Sequence, residues 1–345
     1  MNEDAEQTKH PSHAPSELRQ DPVSGEWVVI ATGRAKRPQD FASAPQKRAT
    51  PSAYPCPFEV LFPNAHSVYA RDGGTNADEW LVQVVPNKYP AFVGGACPVL
   101  REVGPYRVTD GIGFHEVVIT RDHARPLGVQ TSTEAELVLR AYQDRFRAIK
   151  ADSCMRYISV FHNHGPLAGA TIEHPHSQII ATPVIPPDIG RSIAGSHAYA
   201  QTHGGACVHC AVLRHELRAG ERVVYENNDA VVLAPFASKT AFELRVMPRT
   251  HCAYFEEAGA SERRGVAEAL TVSLARIAKG LGDPDYNFFL HTAPVGPPES
   301  FSHYHWHIEI IPKTAVWAGF EIGTGIEIST ISPEEAAAFL KNVIV

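Results

Sequence analysis

The sequence predicts an α+β protein that consists of two tandem units, each with an antiparallel sheet and one long helix. Three observations support this prediction. Two segments have the spacing of a helix with one apolar face, and short β-type segments flank each of them. The order of these elements in the first half of the chain recurs in the second half. Paired histidines occupy matching places in both halves, which indicates that a functional motif belongs to the repeat.

The first elements are predicted to be strands. Residues 18–31 have the pattern of a hairpin with its turn at Ser24 and Gly25. One long helix is predicted between the strands at 113–120 and 157–161. Thr133 and Glu136 have the spacing of a capping box at its N-terminus. Further strands are predicted at 80–85, 113–120 and 157–161. The apolar face of the helix, which we assign to the core, carries Val138, Tyr142, Phe146 and Ile149.

The same helix face recurs 128 residues later in the chain. The offset between matching residues grows slowly, which indicates small loop insertions between equivalent elements. The matching features are the helix face at Val266, Leu270, Leu274 and Ile277, His123 with His251 at an offset of 128, and the pair His174 and His176 with His305 and His307 at an offset of 131. We interpret this pattern as an internal duplication. We expect the two units to pack sheet against sheet, with one unit keeping the chemistry.

The duplication sets the domain boundaries that we predict. The segment between the units is rich in Pro, Gly and Ser, as linkers are. The N-terminal segment is polar and acidic and has no apolar run of the kind that a signal peptide needs. The predicted parts are a disordered lead at 1–17, an N-terminal unit at 18–185, a linker at 186–205 and a C-terminal unit at 206–345.

Composition narrows the class of protein. The 345 residues are 44% hydrophobic and 20% charged, enough for a sizeable core. The formal net charge of −7 argues against nucleic acid as a partner, and no apolar run is long enough to cross a membrane. We therefore expect a cytoplasmic protein in a reducing compartment. There, the CxxC motif that starts at Cys207 indicates a metal site before a disulfide.

The segment HPHSQ at 174–178 is the predicted centre of the function. Alternate residues of a strand point to one face, so that His174, His176 and Gln178 would share a face. The approach at 165–171 is rich in Gly and small residues, which lets backbone N–H groups come close to a phosphate. Two ordinary, partly buried histidines are the alternative, and the density of histidines around the segment argues against it.

His176 is the candidate nucleophile. A neutral imidazole attacks phosphorus near neutral pH, and the phosphoramidate that results can pass its group to a second acceptor. We expect the other ring nitrogen of His176 to bond a backbone carbonyl near His174, which would fix the tautomer. Gln178, on the same face, would hold a phosphate oxygen without adding charge.

Two sets of side chains, related by the repeat, indicate zinc. The set in the second unit is of the Cys₂His₂ type and suits a closed tetrahedral site, with free buried thiols as the alternative. It consists of Cys207, Cys210, His251 and one of His303 or His305, of which the repeat favours His305. In the first unit a carboxylate replaces one thiolate, so this site either binds metal more weakly or has lost it. Its members are Cys56, Glu59, His123 and His174.

Residues 34–325 resemble a known family. The motifs RAKRP, PNKYP, FHN, GAT, HPHSQ, HWHIEIIP and GFEIGTG occur in the same order as in galactose-1-phosphate uridylyltransferases, the transferase branch of the histidine-triad superfamily. The resemblance implies tandem histidine-triad-like units and a homodimer. It also implies a ping-pong reaction in which UDP-glucose gives its uridylyl group to His176 and a hexose 1-phosphate, galactose 1-phosphate, then takes it.

The resemblance also implies roles for individual residues. Cys56, His123 and His174 match the family's zinc ligands, His305 and His307 match a metal-binding pair in the other half, and Glu321 would contact the sugar. The residues that would line the nucleotide and its phosphates are Arg34, Arg37, Asn87, Asn163, Thr171 and Gln178.

The resemblance does not decide which nucleobase the substrate carries. The CxxC of the second unit and GFEIGTG look more like a branch that includes ADP-glucose phosphorylases, which move an adenylyl group to phosphate. Two further alternatives are a zinc- or nucleotide-binding protein without turnover and a histidine-triad hydrolase.

Overall fold

A ten-stranded antiparallel sheet runs through both halves of the chain. The structure, a computed structural model, describes residues 15–34, 41 and 56–345. The strands are β1 (Glu17–Gln20), β2 (Trp27–Ile30), β3 (Ser67–Ala70), β4 (Trp80–Pro86), β5 (Arg101–Val103), β6 (Tyr106–Val108), β7 (Phe114–Thr120), β8 (Tyr157–His164), β9 (His176–Thr182), β10 (Val223–Glu226), β11 (Ala230–Leu233), β12 (Leu244–Pro248), β13 (Tyr286–His291), β14 (His307–Pro312) and β15 (Glu327–Ser329). The α-helices are α1 (Ser132–Lys150), α2 (Pro187–Thr202), α3 (Val208–Ala219), α4 (Ala260–Leu281), α5 (Gly319–Thr324) and α6 (Pro333–Lys341).

The strand order of the large sheet reads the same from its two ends. It is β3-β4-β7-β9-β8 in the first half and β10-β11-β12-β14-β13 in the second. Each half also carries one long helix between its third and fourth strands of the large sheet, counted along the chain. Helix α1 lies between β7 and β8, and helix α4 lies between β12 and β13. The predicted α+β class with antiparallel sheets is therefore confirmed. The duplication stays a prediction, which this symmetry supports.

The two halves join edge to edge. Strands β8 and β13 pair in antiparallel fashion, with Asn163 opposite Asn287 and Phe161 opposite Phe289. The expectation that the units pack sheet against sheet is therefore wrong. Pairing the two central strands satisfies backbone donors and acceptors that would otherwise be left open at two sheet edges.

The core lies between the sheet and the two long helices. The helix faces predicted from Val138 and Val266 are buried, and both belong to one hydrophobic cluster. Helices α1 and α4 also contact each other across this face. The helix start was placed two residues too far along the chain, because Thr131 and Glu134, rather than Thr133 and Glu136, form the capping box.

A small sheet covers the other face of the second half. The predicted hairpin is present as β1 and β2, and β15 pairs with β2 in parallel. The segment predicted as linker, 186–205, contains helix α2, which begins with Pro187 at its first turn. Gly195 of this helix touches the hairpin so closely that an added Cβ would overlap the carbonyl oxygen of Val23. Gly195 thus serves helix packing here.

Three further points concern the predicted boundaries and compartment. Residues 1–14 of the predicted lead, 1–17, lie outside the described residues, and Glu17 already belongs to β1. Cys97 and Cys154 form a disulfide, which the sequence analysis did not predict. Across the described ranges, none of the helices combines the length and apolar character that a bilayer span needs.

Candidate active site and metal sites

Strand β9 begins inside the HPHSQ motif and presents its last three residues on two faces. Ser177 points to the helix side of the sheet, where its hydroxyl accepts a hydrogen bond of 2.5 Å from Tyr142 of α1. Alternation then places His176 and Gln178 on the opposite face, and both are half-buried there. His174 precedes the strand and is fully buried. The motif therefore divides between a buried His174 and an accessible His176.

The ring of His176 is held in one tautomer. Its Nδ1 lies 2.7 Å from the carbonyl oxygen of His174, as the sequence had predicted. Because a carbonyl can only accept, Nδ1 carries the hydrogen and Nε2 carries the lone pair. Burial lowers the pKa of His176, partly opposed by this hydrogen bond, so the ring is neutral near pH 7. Within the described part of the chain, no hydrogen-bond partner reaches Nε2.

Gln178 belongs to a polar chain that reaches strand β7. Its Oε1 lies 2.8 Å from Nε2 of His115, and Nδ1 of His115 accepts the backbone N–H of Ala91 at 3.0 Å. Asn87 joins the same group, because its Nδ2 lies 3.0 Å from Nε2 of His115. The structure thus brings together two residues that had been predicted, Asn87 and Gln178, through one that had not.

The Gly-rich approach forms a tight turn beside Asn163. Gly165 has a φ of 83°, and an added Cβ would overlap the carboxylate of Asp285. Asp285 also accepts the backbone N–H of Leu167, which fixes the turn. Asn163 contacts the turn from strand β8, and its Oδ1 accepts a hydrogen bond of 2.9 Å from Asn287. Thr171 lies exposed beyond the turn.

The first metal site brings together three of its four predicted ligands. Donor atoms of Cys56, His123 and His174 all lie within 4.8 Å of one another. Nδ1 of His174 is 3.6 Å from the Cys56 sulfur and 3.3 Å from Nδ1 of His123. Tetrahedral zinc requires about 3.5 Å and about 3.3 Å for these two separations, from Zn–S and Zn–N bonds of about 2.3 and 2.0 Å. Glu59 stands outside this group, with Oε1 3.8 Å from His123.

The second metal site brings together all four predicted ligands. Donor atoms of Cys207, Cys210, His251 and His305 lie within 4.8 Å of one another. The Cys210 sulfur is 3.3 Å from Nδ1 of His251 and 3.5 Å from Nδ1 of His305. These distances again fit tetrahedral zinc. His303, the alternative to His305, instead packs its ring against His197.

In both sites, neighbouring groups favour the forms of the side chains that can bind a cation. Nε2 of His174 donates to the carbonyl of Thr120, and Nε2 of His251 donates to the carbonyl of Ser302, so Nδ1 of each ring offers its lone pair. Cys207 is the N-cap residue of α3. A hydrogen bond from Cys210 and the nearby His251 and His305 rings lower the pKa of Cys207 far below that of an ordinary thiol. The donor sets fit zinc in both places.

The structure gives no contact with His176 for three of the residues predicted to bind substrate, and for two of them it does not describe the side chain. Glu321 lies in α5, where its Oε2 accepts the backbone N–H of Ala318 at 3.0 Å, and no described contact joins it to the HPHSQ strand. Arg34 ends a short 3-10 helix that begins at Thr32. Arg37 lies outside the described residues.

The second unit contains an enclosed counterpart of the His176 site. His307 donates from Nδ1 to the carbonyl of His305 at 3.1 Å, as His176 does to His174. Glu309 stands where the first unit has Gln178, and it is paired with Arg245. The hairpin β1–β2 and helix α2 enclose a cavity of about 190 Å³ around these residues. Burial lowers the pKa of His307 to about 4, and the ring is 3% exposed.

Sequence reasoning missed His115 and Asn287. Alternation places His115 on the face of β7 that also carries Val117 and Ile119, where a histidine is the polar exception. That pattern marks His115 as unusual without showing its partner. Asn287 lies opposite Asn163 only because β8 and β13 pair, which the sequence did not show.

Comparisons with known proteins agree with this geometry. A family model described as "Galactose-1-phosphate uridyl transferase, N-terminal domain" matches residues 6–186, and one described as "Domain of unknown function (DUF4921)" matches residues 112–343. An ADP-glucose phosphorylase of Arabidopsis thaliana is 34% identical over 95% of this chain and 93% of its own length. A galactose-1-phosphate uridylyltransferase of Thermotoga maritima is 29% identical over 94% of this chain and 98% of its own.

A solved structure extends the similarity to three dimensions. The crystal structure of an ADP-glucose phosphorylase from Arabidopsis thaliana with bound ADP-glucose superposes with a TM-score of 0.81 at 29% identity. The match covers 96% of this chain and 100% of that one. From its sequence motifs, its fold and these relatives, the chain belongs to the galactose-1-phosphate uridyl transferase family of nucleotidyltransferases.

Proposed function

We propose that this protein transfers a nucleoside monophosphate from a sugar nucleotide to a second acceptor, with Nε2 of His176 as the temporary carrier. The observation that carries this proposal is the fixed tautomer of His176, whose hydrogen is on Nδ1 and whose lone pair is on Nε2. Gln178 and Asn163 present amide groups nearby, beside a Gly turn. A phosphate that enters there meets hydrogen-bond donors and a nucleophile together.

The proposed reaction has two displacements at the same phosphorus. Nε2 attacks the α-phosphorus, the bond to the bridging oxygen breaks, and hexose 1-phosphate leaves with the electron pair. The positive charge that the ring gains is stabilised by the hydrogen bond from Nδ1 to the carbonyl of His174. An acceptor phosphate oxygen then attacks the same phosphorus, and the P–N bond returns its electron pair to Nε2.

Two donor and acceptor pairs are supported by relatives. The relative with 34% identity is an ADP-glucose phosphorylase, which favours ADP-glucose with inorganic phosphate as the acceptor. The family model over residues 6–186 and the relative from Thermotoga maritima favour UDP-glucose with galactose 1-phosphate. Exchange measured with both donors at equal concentration decides between adenylyl and uridylyl transfer.

We also propose that zinc occupies both cysteine–histidine clusters. Zinc would supply a structural crosslink there, with Cys56, His123 and His174 as ligands in the first unit. Because the carbonyl of His174 holds His176, the residues of this first cluster would also orient the nucleophile. Metal analysis of the purified protein tests this, and protein that is active and folded without zinc would contradict it.

We propose a homodimer as the functional unit. The β5–β6 hairpin exposes Val103 and Tyr106, and α5 exposes Phe320 and Ile322. Since no described contact joins Glu321 to the HPHSQ strand within one chain, we propose that its predicted contact with the sugar is made when α5 of one protomer approaches the site of its partner. Light scattering of the protein as it elutes from a size-exclusion column tests the dimer. A stable, fully active monomer would contradict it.

Incubation with α-³²P-labelled ADP-glucose or UDP-glucose, without acceptor, tests the transfer directly. We expect covalent label on the wild-type protein and none on His176→Ala. The matched control is His215→Ala, since His215 lies exposed on α3 and outside the site. A protein that binds zinc and nucleotide without taking label would support the non-catalytic alternative, and loss of label to water would support a hydrolase.

A further inference from the structure

His115 lies beside Gln178 on the neighbouring strand β7. Its Nε2 is 2.8 Å from Oε1 of Gln178, and its Nδ1 is 3.0 Å from the backbone nitrogen of Ala91. Nδ1 therefore has one neighbour, the N–H of Ala91, and Nε2 has two, the oxygen of the Gln178 amide and the amide nitrogen of Asn87. Among the described contacts none joins His115 to His176, so any influence on the nucleophile passes through Gln178.

These two contacts determine which nitrogen of His115 carries the hydrogen. The backbone N–H of Ala91 can only donate, so Nδ1 must offer its lone pair. In the neutral ring the hydrogen is then on Nε2, which donates to Oε1 of Gln178. The amide nitrogen of Asn87 lies 3.0 Å from the same Nε2. It cannot donate to a nitrogen that carries hydrogen, so its own N–H groups are available to other partners.

A donor at Oε1 selects one of the two orientations of the Gln178 amide. A half-turn about the last side-chain bond exchanges the oxygen and the NH₂ group, and the two orientations are similar in shape. With the oxygen engaged by His115, the NH₂ group remains for a ligand on the face that carries His176. Within the described residues, no group accepts a hydrogen bond from that NH₂ group. A phosphate attracts N–H groups and repels a carbonyl oxygen, so the selected orientation is the useful one.

The second amide of the site is arranged in the same way by an independent residue. Asn287 donates one N–H to Oδ1 of Asn163 at 2.9 Å and the other to the carbonyl of Ala168 at 2.8 Å. The oxygen of Asn163 is thereby engaged, and its NH₂ group faces the Gly turn at Gly169. Both amides that flank the nucleophile therefore have a protein donor on their oxygen.

We propose that His115 is a positioning residue for the nucleotidyl transfer, which holds the amide of Gln178 with its N–H groups toward the phosphate that meets His176. The inference rests on the proposed function, because the phosphate is what the amide is oriented for. It adds to that function a residue that acts on the reaction only through Gln178.

Three substitutions of His115 separate orientation from other effects. The carboxylate of His115→Glu can only accept, so it should turn the Gln178 amide and slow the labelling of His176 about a hundredfold. His115→Ala should slow it about tenfold, because neither orientation is then selected. His115→Gln keeps an N–H donor and should stay within about threefold of wild type. The readout is the single-turnover rate with α-³²P-labelled ADP-glucose or UDP-glucose.

The same three substitutions in a Gln178→Ala background test whether the effect passes through Gln178. Without an amide to orient, the three rates should agree within about threefold. A carboxylate that merely repelled phosphate would slow His115→Glu equally in both backgrounds, which would overturn the proposal. So would equal rates for His115→Glu and His115→Gln in the native background. Those two side chains match in size, so the pair decides the question even where His115→Ala does not fold.

The controls separate this inference from the proposed function. Thermal melting and zinc content of each variant report on folding, and neither should change with amide orientation. Wild-type protein that takes no label at His176 would end the proposed function. Wild-type protein that takes label, with His115 variants that are indifferent to the presence of Gln178, would end only the positioning role.

Discussion

Nδ1 of His176 lies 2.7 Å from the carbonyl oxygen of His174, two residues earlier in the chain. This contact joins the proposed nucleophile to a residue whose own Nδ1 faces Cys56 and His123. The nucleophile and the first metal cluster are thus linked by one peptide segment. A change in the cluster should therefore alter the orientation of the nucleophile, while the second cluster should act on stability alone.

Cys210→Ser tests the second metal cluster. We expect the loss of about one zinc per chain, and the free energy of unfolding should fall by about 5 kcal/mol or more, because zinc binding contributes directly to folding. Metal analysis and urea denaturation measure the two effects. Cys252→Ser is the matched control, since Cys252 is a free thiol outside both clusters. Unchanged zinc content in Cys210→Ser would contradict the assignment.

Glu59→Cys tests why the first cluster has only three close ligands. The substitution creates a CxxC spacing with Cys56 and should complete a Cys₂His₂ set, so zinc should be retained against a higher concentration of chelator. Competition with a chromogenic chelator measures this. Glu59→Ser is the control, because serine is similar in size to cysteine and has no thiol. Equal retention by both variants would show that the site does not use a second thiolate as its fourth ligand.

Features that depend on short-range spacing are the ones that the sequence can specify. The strand that carries His176 and Gln178, the CxxC motif and the two helix faces depend on spacing within a few residues, and all are found where they were predicted. The expectation that His174 shares the strand face was wrong, because the strand begins at His176. The capping box was misplaced because Thr131 and Thr133 both have a glutamate three residues later. Tertiary contacts favour the first pair, since Glu134 also binds Arg71 and Arg125.

Features that depend on contacts between distant segments could not be predicted. The pairing of β8 with β13 sets Asn287 beside Asn163, and no local pattern encodes that register. Helix α2 forms within a Pro- and Gly-rich segment because Gly195 accommodates the carbonyl of Val23, far away in the sequence. The resemblance to the family supplied Asn87, Asn163 and Gln178 as candidate contacts, whereas their orientation required the structure.

Asn287→Ala tests the donor behind Asn163. Without it the Asn163 amide can rotate, so the labelling rate of His176 should fall about tenfold while the thermal midpoint changes little. Single-turnover labelling and thermal melting measure the two quantities. Asn342→Ala, at the exposed end of α6, is the control for loss of an asparagine. A wild-type labelling rate in Asn287→Ala would show that Asn163 needs no such support.

His162 should make stability depend on pH. Burial holds its pKa well below 6.5, and the ring lies stacked on Phe288 with Nδ1 3.0 Å from Oγ of Ser177. Above about pH 6.5 neither the folded nor the unfolded state protonates His162, so it has no effect there. Below that pH only the unfolded state takes up the proton, and the free energy of unfolding falls by about 1.4 kcal/mol per pH unit.

The variant His162→Asn isolates this contribution. It cannot take up a proton, so its stability should fall less steeply than that of wild type between pH 6.5 and pH 5, by about 1.4 kcal/mol per unit. Urea denaturation at several pH values measures the two slopes. Parallel slopes would mean that His162 titrates equally in both states.

The most direct test of the account is to locate the covalent intermediate. Wild-type protein is mixed with α-³²P-labelled ADP-glucose or UDP-glucose without acceptor, quenched, digested and sequenced by mass spectrometry. The account predicts one nucleoside monophosphate on the ring of His176, lost again when acceptor is added before the quench. Label on another residue, or full turnover by His176→Ala, would contradict it.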